Sequence, residues 1–123
     1  MGLRCLIVDD SAPFLNAARA LLEREGLTVV GVASTIAEGV EQTAKLQPDV
    51  TLVDIELGGE SGFDLTERLA GDGRQASRVI LISTHAERDF ADLIEASAAE
   101  GFLSKADLSA DAIRGLLRLD AVP

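Results

Sequence analysis

Five polar side chains lie within two residues of the ends of apolar runs of this sequence. They are Asp9 and Asp10 after the first run, Asp54 after the third, Ser83 after the fourth and Lys105 after the fifth. Each run has the length and composition of a buried strand. Because the carboxyl ends of parallel strands meet at one edge of a sheet, we expect these side chains to lie close together.

Carboxylates, a hydroxyl and an ammonium at one edge suit phosphoryl transfer. Three carboxylates repel, and without compensation the pKa of at least one rises. A magnesium ion relieves that conflict, because it prefers oxygen ligands and keeps several of its waters. The metal and Lys105 would then neutralise the charge of a phosphoryl group. Asp54 is the natural nucleophile, since a carboxylate can form an acyl phosphate.

Taken singly, these residues have ordinary structural roles. A pair such as Asp9-Asp10 often caps a helix, Ser83 suits a turn, and Lys105 suits a solvated surface. The joint pattern favours a functional site over these alternatives.

Alternating strands and helices must position the site. Strand-like runs occur at residues 5–8, 28–33, 50–53, 79–82 and 101–103, and a helical pattern follows each of them. This alternation predicts a parallel α/β sheet with helices on both faces, in one domain over residues 1–123. We expect the fourth helix over residues 87–99, with Phe90, Leu93, Ile94 and either Ser97 or Ala98 buried. We expect the fifth helix over residues 109–119.

Composition limits the classes of function. The 123 residues carry a net charge of −10, from 21 acidic and 11 basic residues, so an electrostatic footprint for nucleic acid is missing. No apolar stretch approaches the roughly 20 residues that span a bilayer. The single cysteine, Cys5, cannot form an internal disulfide, which favours a reducing cytoplasmic setting. We therefore expect a cytoplasmic protein that binds neither nucleic acid nor membrane through this domain.

The set Asp9-Asp10, Asp54, Ser83 and Lys105, in this order and at these spacings, closely resembles the receiver domain of two-component response regulators. The resemblance covers essentially the whole chain. It implies a flavodoxin-like (βα)5 three-layer sandwich, with a five-stranded parallel sheet in the strand order 2-1-3-4-5.

The resemblance also implies roles at the acidic edge. Asp54 would accept a phosphoryl group from a phosphohistidine of a sensor histidine kinase. Asp10 and Asp54 would ligate Mg²⁺, or Mn²⁺, directly, and Asp9 would act through a bound water. Glu56 would contribute its backbone carbonyl.

Other residues would sense or tune the phosphoryl group. By resemblance, Ser83 would hydrogen-bond a phosphate oxygen, Lys105 would pair with the phosphate, and Phe102 would be the switch aromatic. Glu56 and His85, each two residues after a site residue, would influence the lifetime of the phosphoryl group. We expect His85 either to shield or to orient the attacking water.

Residues 102–109 resemble receivers attached to helix-turn-helix output domains of the NarL/LuxR type, so a C-terminal output domain beyond residue 123 is one expectation. Phosphorylation would then switch that domain, or a homodimer formed through the fourth helix, fifth strand and fifth helix, or through the first and fifth helices. A self-phosphorylating switch of this kind is not expected to turn over metabolites.

Two positions depart from the family pattern. Many receivers carry proline where this chain has Gly58, so we expect a more flexible loop after Asp54. Ala106 replaces the usual proline after Lys105, which removes the basis for the cis peptide often seen there.

Two alternatives stay open. A small phosphotransferase or phosphatase of the haloacid-dehalogenase kind also uses an aspartyl phosphate, Mg²⁺ and a lysine. A receiver-like scaffold could instead bind partners without phosphorylation.

Overall fold

A computed structural model describes residues 3–71 and 78–117 of the protein. Five strands form a parallel sheet, and two short strands form a separate antiparallel pair. In chain order the strands are β1 (Arg4–Val8), β2 (Thr28–Ala33), β3 (Val50–Asp54), β4 (Glu56–Leu57), β5 (Glu60–Ser61), β6 (Arg78–Ser83) and β7 (Gly101–Ser104). The helices are α1 (Ala12–Arg24), α2 (Ile36–Leu46), α3 (Gly62–Gly71), α4 (Ala91–Ala96) and α5 (Ala110–Leu117).

The parallel sheet has the order β2-β1-β3-β6-β7. Since β6 and β7 are the fourth and fifth strands of that sheet, the predicted order 2-1-3-4-5 is confirmed. The order sets β1 beside β3, with Val8 in register with Val53. The residues that follow these two strands in the chain therefore start side by side.

Helices cover both faces of the sheet, as the alternating pattern predicted. Side chains of successive strand residues point to opposite faces. Cys5 and Ile7 accordingly belong to a core closed by α1 and α5, whereas Leu6 and Val8 belong to a core closed by α2 and α3. Burial on both faces explains why the strands read as continuous apolar runs.

Helix α1 begins at a hydroxyl cap. The Ser11 hydroxyl accepts a hydrogen bond from the Phe14 N–H at 3.3 Å, and Pro13 lies in the first turn. Helix α5 starts in the same way, with the Ser109 hydroxyl accepting from Ala112 N–H at 3.0 Å. Hydroxyl caps of this kind satisfy N–H groups that a helix end leaves unpaired.

The fourth helix is shorter than predicted. Residues 87–99 divide into a 3-10 turn, Glu87–Asp89, and the six-residue α4, which ends before Ser97. The Ser97 hydroxyl donates to Ile94 O at 2.6 Å and accepts from Ala99 N–H at 3.2 Å, so it replaces the bonds of a further helical turn.

The prediction that Leu93 is buried is wrong, since Leu93 is 56% exposed. Phe90 precedes the helix with φ −128° and ψ 14°, and therefore a helical spacing counted from Phe90 does not place Leu93 correctly. Phe90 and Ile94 are partly buried and pack against the core beneath α3.

The segment after Asp54 forms an antiparallel hairpin of β4 and β5 with Gly58 and Gly59 at its turn. Gly58 has φ +62°, a left-handed conformation that favours glycine. The Glu60 side chain accepts a hydrogen bond from Ile36 N–H at 2.9 Å, which ties the hairpin to the start of α2. Greater flexibility of this segment stays a prediction.

The structure contains no cis peptide bond within the described residues, in agreement with Ala106 in place of proline. None of the helices in residues 3–71 and 78–117 combines the length and apolar character needed to cross a bilayer. Residues 118 and 119, which the sequence assigned to the fifth helix, lie outside the described part.

Gly58 and Gly59 form a matched pair for testing the turn. Gly58→Ala should lower the free energy of unfolding by about 1 kcal/mol, because alanine must adopt the left-handed conformation. Gly59→Ala should change it less, since Gly59 has no positive φ and a Cβ there meets nothing within 4 Å. Urea denaturation of both variants measures the difference, and equal effects would contradict the assignment of strain to Gly58.

Candidate functional site

Three carboxylates meet at the carboxyl ends of β1 and β3. One oxygen from each of Asp9, Asp10 and Asp54 lies within 4.8 Å of the others. Asp9 is fully buried and Asp54 is 5% exposed, whereas Asp10 is exposed. The structure therefore brings together the acidic residues that the sequence placed at one edge.

Lys105 lies between the two buried carboxylates. Its Nζ is 2.6 Å from Asp9 Oδ2 and 3.3 Å from Asp54 Oδ2, and its side chain is 14% exposed. The bond to Asp54 has hydrogen-bond geometry. The contact with Asp9 is the shorter of the two, and the ammonium is therefore paired with both buried acids.

The backbone anchors the other oxygen of each buried carboxylate. Asp9 Oδ1 accepts from Ser11 N–H at 2.8 Å, and Asp54 Oδ1 accepts from Glu56 N–H at 3.1 Å. Both bonds run to an N–H two residues along the chain, the pattern of an Asx turn. In each residue one oxygen orients the group while the second faces Lys105.

Gly62 lies against the Asp54 backbone, a contact that the sequence reasoning missed. A Cβ at Gly62 would stand 2.0 Å from the Asp54 carbonyl oxygen, and Gly62 N–H donates to Ile55 O at 2.8 Å. The start of α3 thus closes directly on the end of β3. A glycine eight residues after a strand-end aspartate was the available signal in the sequence.

Burial raises the pKa of the Asp54 carboxyl from its ordinary 3.8 to about 6. The Glu56 N–H bond and the Lys105 ammonium lower this pKa, while the nearby Asp9 charge raises it. For Lys105, burial opposes the charged form, but the contacts with Asp9 and Asp54 outweigh it and raise the pKa. The ammonium is therefore held in its charged form between two acids.

Ser83 ends β6 and is 1% exposed. Its Oγ accepts from His85 N–H at 3.0 Å and lies 3.5 Å from His85 Nδ1. The same Nδ1 is 3.2 Å from Glu56 Oε1. Because both contacts use one nitrogen, His85 cannot relay a proton from Ser83 to Glu56, and the three residues are not a catalytic triad.

His85 and Glu56 connect two loops of the site. Both side chains are more than half exposed, at 51% and 61%, and their contact joins the segments that follow β6 and β3. The His85 ring also packs edge-on against Phe90, with ring centroids 5.9 Å apart. The two residues that the sequence assigned to tuning are therefore in contact with each other.

Phe102 lies in β7, where it is in register with Leu81. It is partly buried against the core beneath α3 and lines a cavity of about 430 Å³ together with Thr84 and Ala86. Among the described contacts, neither Phe102 nor Ser83 touches a carboxylate, and Ser83 contacts His85 instead.

Phe14 also belongs to the site, although the sequence analysis did not select it. The Lys105 Nζ lies 4.3 Å from the centroid of the Phe14 ring. Phe14 is the third residue of α1, just after the Ser11 cap, and its ring lies beside Lys105 from this position at the start of the helix.

The raised pKa of Asp54 predicts a pH-dependent effect of Asp54→Asn in a metal-free, EDTA-containing buffer. A raised folded-state pKa gives stability that is fully present below the unfolded value of 3.8 and is lost as the pH rises through about 6. The asparagine variant should therefore gain stability relative to the parent chain over this interval. Denaturant unfolding at several pH values measures the difference.

Asp64→Asn is the matched control for that series, because Asp64 is an exposed carboxylate in the first turn of α3. The difference in the free energy of unfolding between Asp64→Asn and the parent chain should not change with pH in the same way. If the difference in the free energy of unfolding between Asp54→Asn and the parent chain does not change with pH, the Asp54 carboxyl has its ordinary pKa in the folded chain.

Comparison with known proteins agrees with this geometry. Residues 5–117 match the family model described as the response regulator receiver domain. The chain is 35% identical over 116 residues to the transcriptional regulatory protein YvfU of Bacillus subtilis, which covers 91% of this chain and 58% of the relative. It is 35% identical over 117 residues to a protein-glutamate methylesterase/protein-glutamine glutaminase of Alkalilimnicola ehrlichii, covering 90% of this chain and 29% of the relative.

Among solved structures, the signal receiver domain of the response regulator NarL from Mycobacterium tuberculosis is similar, with a TM-score of 0.83 and 25% identity. The match covers 99% of this chain and 98% of that one. The two curated relatives extend well beyond the matched region, since this chain spans 58% and 29% of their lengths. The five-stranded fold, the match over residues 5–117 and the NarL similarity show that this chain belongs to the receiver-domain family of two-component response regulators.

Proposed function

We propose that Asp54 is the phosphoacceptor of this receiver. The observation that carries the proposal is the position of Lys105, whose Nζ is 3.3 Å from Asp54 Oδ2 and 2.6 Å from Asp9 Oδ2. A fixed ammonium beside a carboxylate oxygen is placed to neutralise the charge of an incoming phosphoryl group. Family membership supports the same assignment.

In the proposed reaction a carboxylate oxygen of Asp54 attacks the phosphorus of a phosphohistidine on a sensor histidine kinase. An O–P bond forms, the N–P bond breaks, and the histidine nitrogen leaves with the electron pair and takes up a proton. Hydrolysis of the resulting acyl phosphate by water returns the Asp54 carboxylate and inorganic phosphate. The domain is therefore a switch that resets, with no metabolite turned over.

The carboxylate cluster fits a divalent cation such as Mg²⁺ or Mn²⁺. Hard oxygen donors converge within 4.8 Å, and Asp10 is exposed with no ion pair or hydrogen bond to another side chain in the described part of the chain. Asp10 and Asp54 would hold the ion directly, Asp9 through water, and Glu56 through its backbone carbonyl. When bound, the ion supplies positive charge that offsets the carboxylates and the phosphoryl oxygens.

Ser83 and Lys105 would bind the oxygens of the new phosphoryl group. Phosphorylation adds about −1.5 to −2 charges and three acceptor oxygens. The Ser83 hydroxyl can donate to one of these oxygens, and Lys105 can pair with another. Displacement of Ser83 would leave room into which the partly buried Phe102 turns, so that the surface of α4, β7 and α5 changes.

Signal output is the part of the proposal that reaches beyond this domain. We propose a helix-turn-helix output of the NarL/LuxR type, supported by the transcriptional-regulator relative and the NarL similarity. The relative named as a protein-glutamate methylesterase/protein-glutamine glutaminase supports an enzymatic output domain as the alternative. Homodimerisation through α4, β7 and α5, or through α1 and α5, is the proposed response to phosphorylation, in a cytoplasmic protein.

Phosphorylation of Asp54 is tested with acetyl phosphate and Mg²⁺. One phosphoryl group should be added to the parent chain, as measured by intact-protein mass spectrometry, and EDTA should prevent the addition. Asp54→Asn should lose labelling because it removes the attacking carboxylate. The matched control Asp64→Asn replaces an exposed carboxylate on α3 and should be labelled like the parent.

Full labelling of Asp54→Asn would refute the assigned phosphoacceptor. Absence of labelling in the parent chain, together with partner binding that ignores Asp54→Asn, would favour the phosphorylation-independent scaffold. Repeated hydrolysis of a small phosphate ester would favour the haloacid-dehalogenase alternative, against which family membership already argues.

His85 should screen the phosphoryl group from water. Glu56 and Phe90 both hold its ring beside Ser83, where the ring occupies space through which a water would approach the phosphoryl group. His85→Ala should therefore speed dephosphorylation, by less than the 10²–10⁴-fold that general-base catalysis contributes. The decay of purified phosphorylated protein measures the rate, with Glu56→Gln as the variant that weakens the same contact.

A slower decay in His85→Ala would instead assign His85 to orienting the water. An unchanged decay would show that His85 has neither role.

A further inference from the structure

We propose that Phe14 is a positioning residue for phosphoryl transfer, holding the Lys105 ammonium in place through its ring face. This inference rests on the proposed function of Asp54 and Lys105. It adds a residue of helix α1 to a reaction otherwise carried by residues at strand ends.

The ring and the ammonium form a cation–π contact. The Lys105 Nζ lies 4.3 Å from the Phe14 centroid, inside the roughly 6 Å over which such contacts act. Lysine has a flexible four-carbon side chain, and holding it in one conformation costs entropy. With only 14% of the Lys105 side chain exposed, a ring at this distance contacts an ammonium that is largely removed from water.

One residue aligns the two groups that hold Lys105. Ser11 N–H donates to Asp9 Oδ1 at 2.8 Å, and Ser11 Oγ accepts from Phe14 N–H at 3.3 Å. The cap of α1 therefore sets the Asp9 carboxylate and the Phe14 backbone relative to each other. Pro13, in the first turn, restricts the backbone between them.

Packing against the core also restricts the Phe14 ring. Phe14 is partly buried and packs against the core closed by α1 and α5. The ammonium consequently has carboxylates on one side and an immobilised aromatic face on another. Such preorganised charge needs little rearrangement when negative charge develops on a transferring phosphoryl group.

The rate of labelling by acetyl phosphate and Mg²⁺ tests this role. Phe14→Leu keeps an apolar side chain but removes the ring, and should slow labelling by about 3- to 10-fold, the range expected for a partly desolvated cation–π contact. Phe14→Tyr keeps the ring and should be labelled within about twofold of the parent rate. Urea denaturation of both variants shows whether a change in folding accompanies the change in rate.

A pure packing role would give a different result. If Phe14→Leu is labelled at the parent rate, or if the leucine and tyrosine variants slow equally, the proposal is overturned. In a Lys105→Gln background, Phe14→Leu should cause no additional slowing, because the ring then has no ammonium to hold. Additive slowing would equally contradict the proposal.

A structural readout separates this inference from the proposed function. The ring current of Phe14 should shift the Lys105 ε-methylene protons upfield in the NMR spectrum of the parent chain and of Phe14→Tyr, but not of Phe14→Leu. If the parent chain shows this shift but accepts no phosphoryl group, the proposed function fails while the contact stands. If labelling is normal and the shift is absent in the parent chain, the role of Phe14 fails alone.

Discussion

The contact of Lys105 with two buried carboxylates is the constraint on which the site depends. Two acids with 0% and 5% exposure cannot stay ionised together without a compensating charge, and Lys105 supplies one. This compensation is incomplete, since the pKa of Asp54 still rises to about 6. Negative charge exceeds positive charge among these side chains, and the cluster is therefore suited to a divalent cation.

Hydrogen bonds and close contacts of the backbone position the carboxylates at this edge of the sheet. Asx-type bonds orient Asp9 and Asp54, and Gly62 lets α3 approach the Asp54 carbonyl. The hairpin after β3 is tied to α2 through Glu60. These bonds position the carboxylates while leaving the Asp10 side chain exposed, so the cluster is open to solvent at Asp10.

Aromatic contacts connect the site with the start of α4 and with α3. His85 packs on Phe90, and Phe90 packs on Phe63 of α3 with ring centroids 6.4 Å apart. A displacement of the segment after Ser83 would therefore reach both the start of α4 and the α3 surface. Because α4 has only six residues and exposes Leu93, few buried contacts oppose such a movement.

The sequence by itself determined the parallel sheet and the alternation of strands and helices, and it selected the residues of the candidate site. Apolar runs ending in Asp9, Asp54, Ser83 and Lys105 are local features, and the strand order followed from family resemblance. Tertiary structure decided what depends on distance between remote segments: the pairing of Lys105 with both acids, the Phe14 ring over its ammonium, and the Glu56–His85 contact. It also decided the length of α4, where the Ser97 hydroxyl bonds and the non-helical backbone of Phe90 overrode a helical pattern. Spacing along a chain reports which residues share an element, whereas the partner of each side chain is set by how the elements pack.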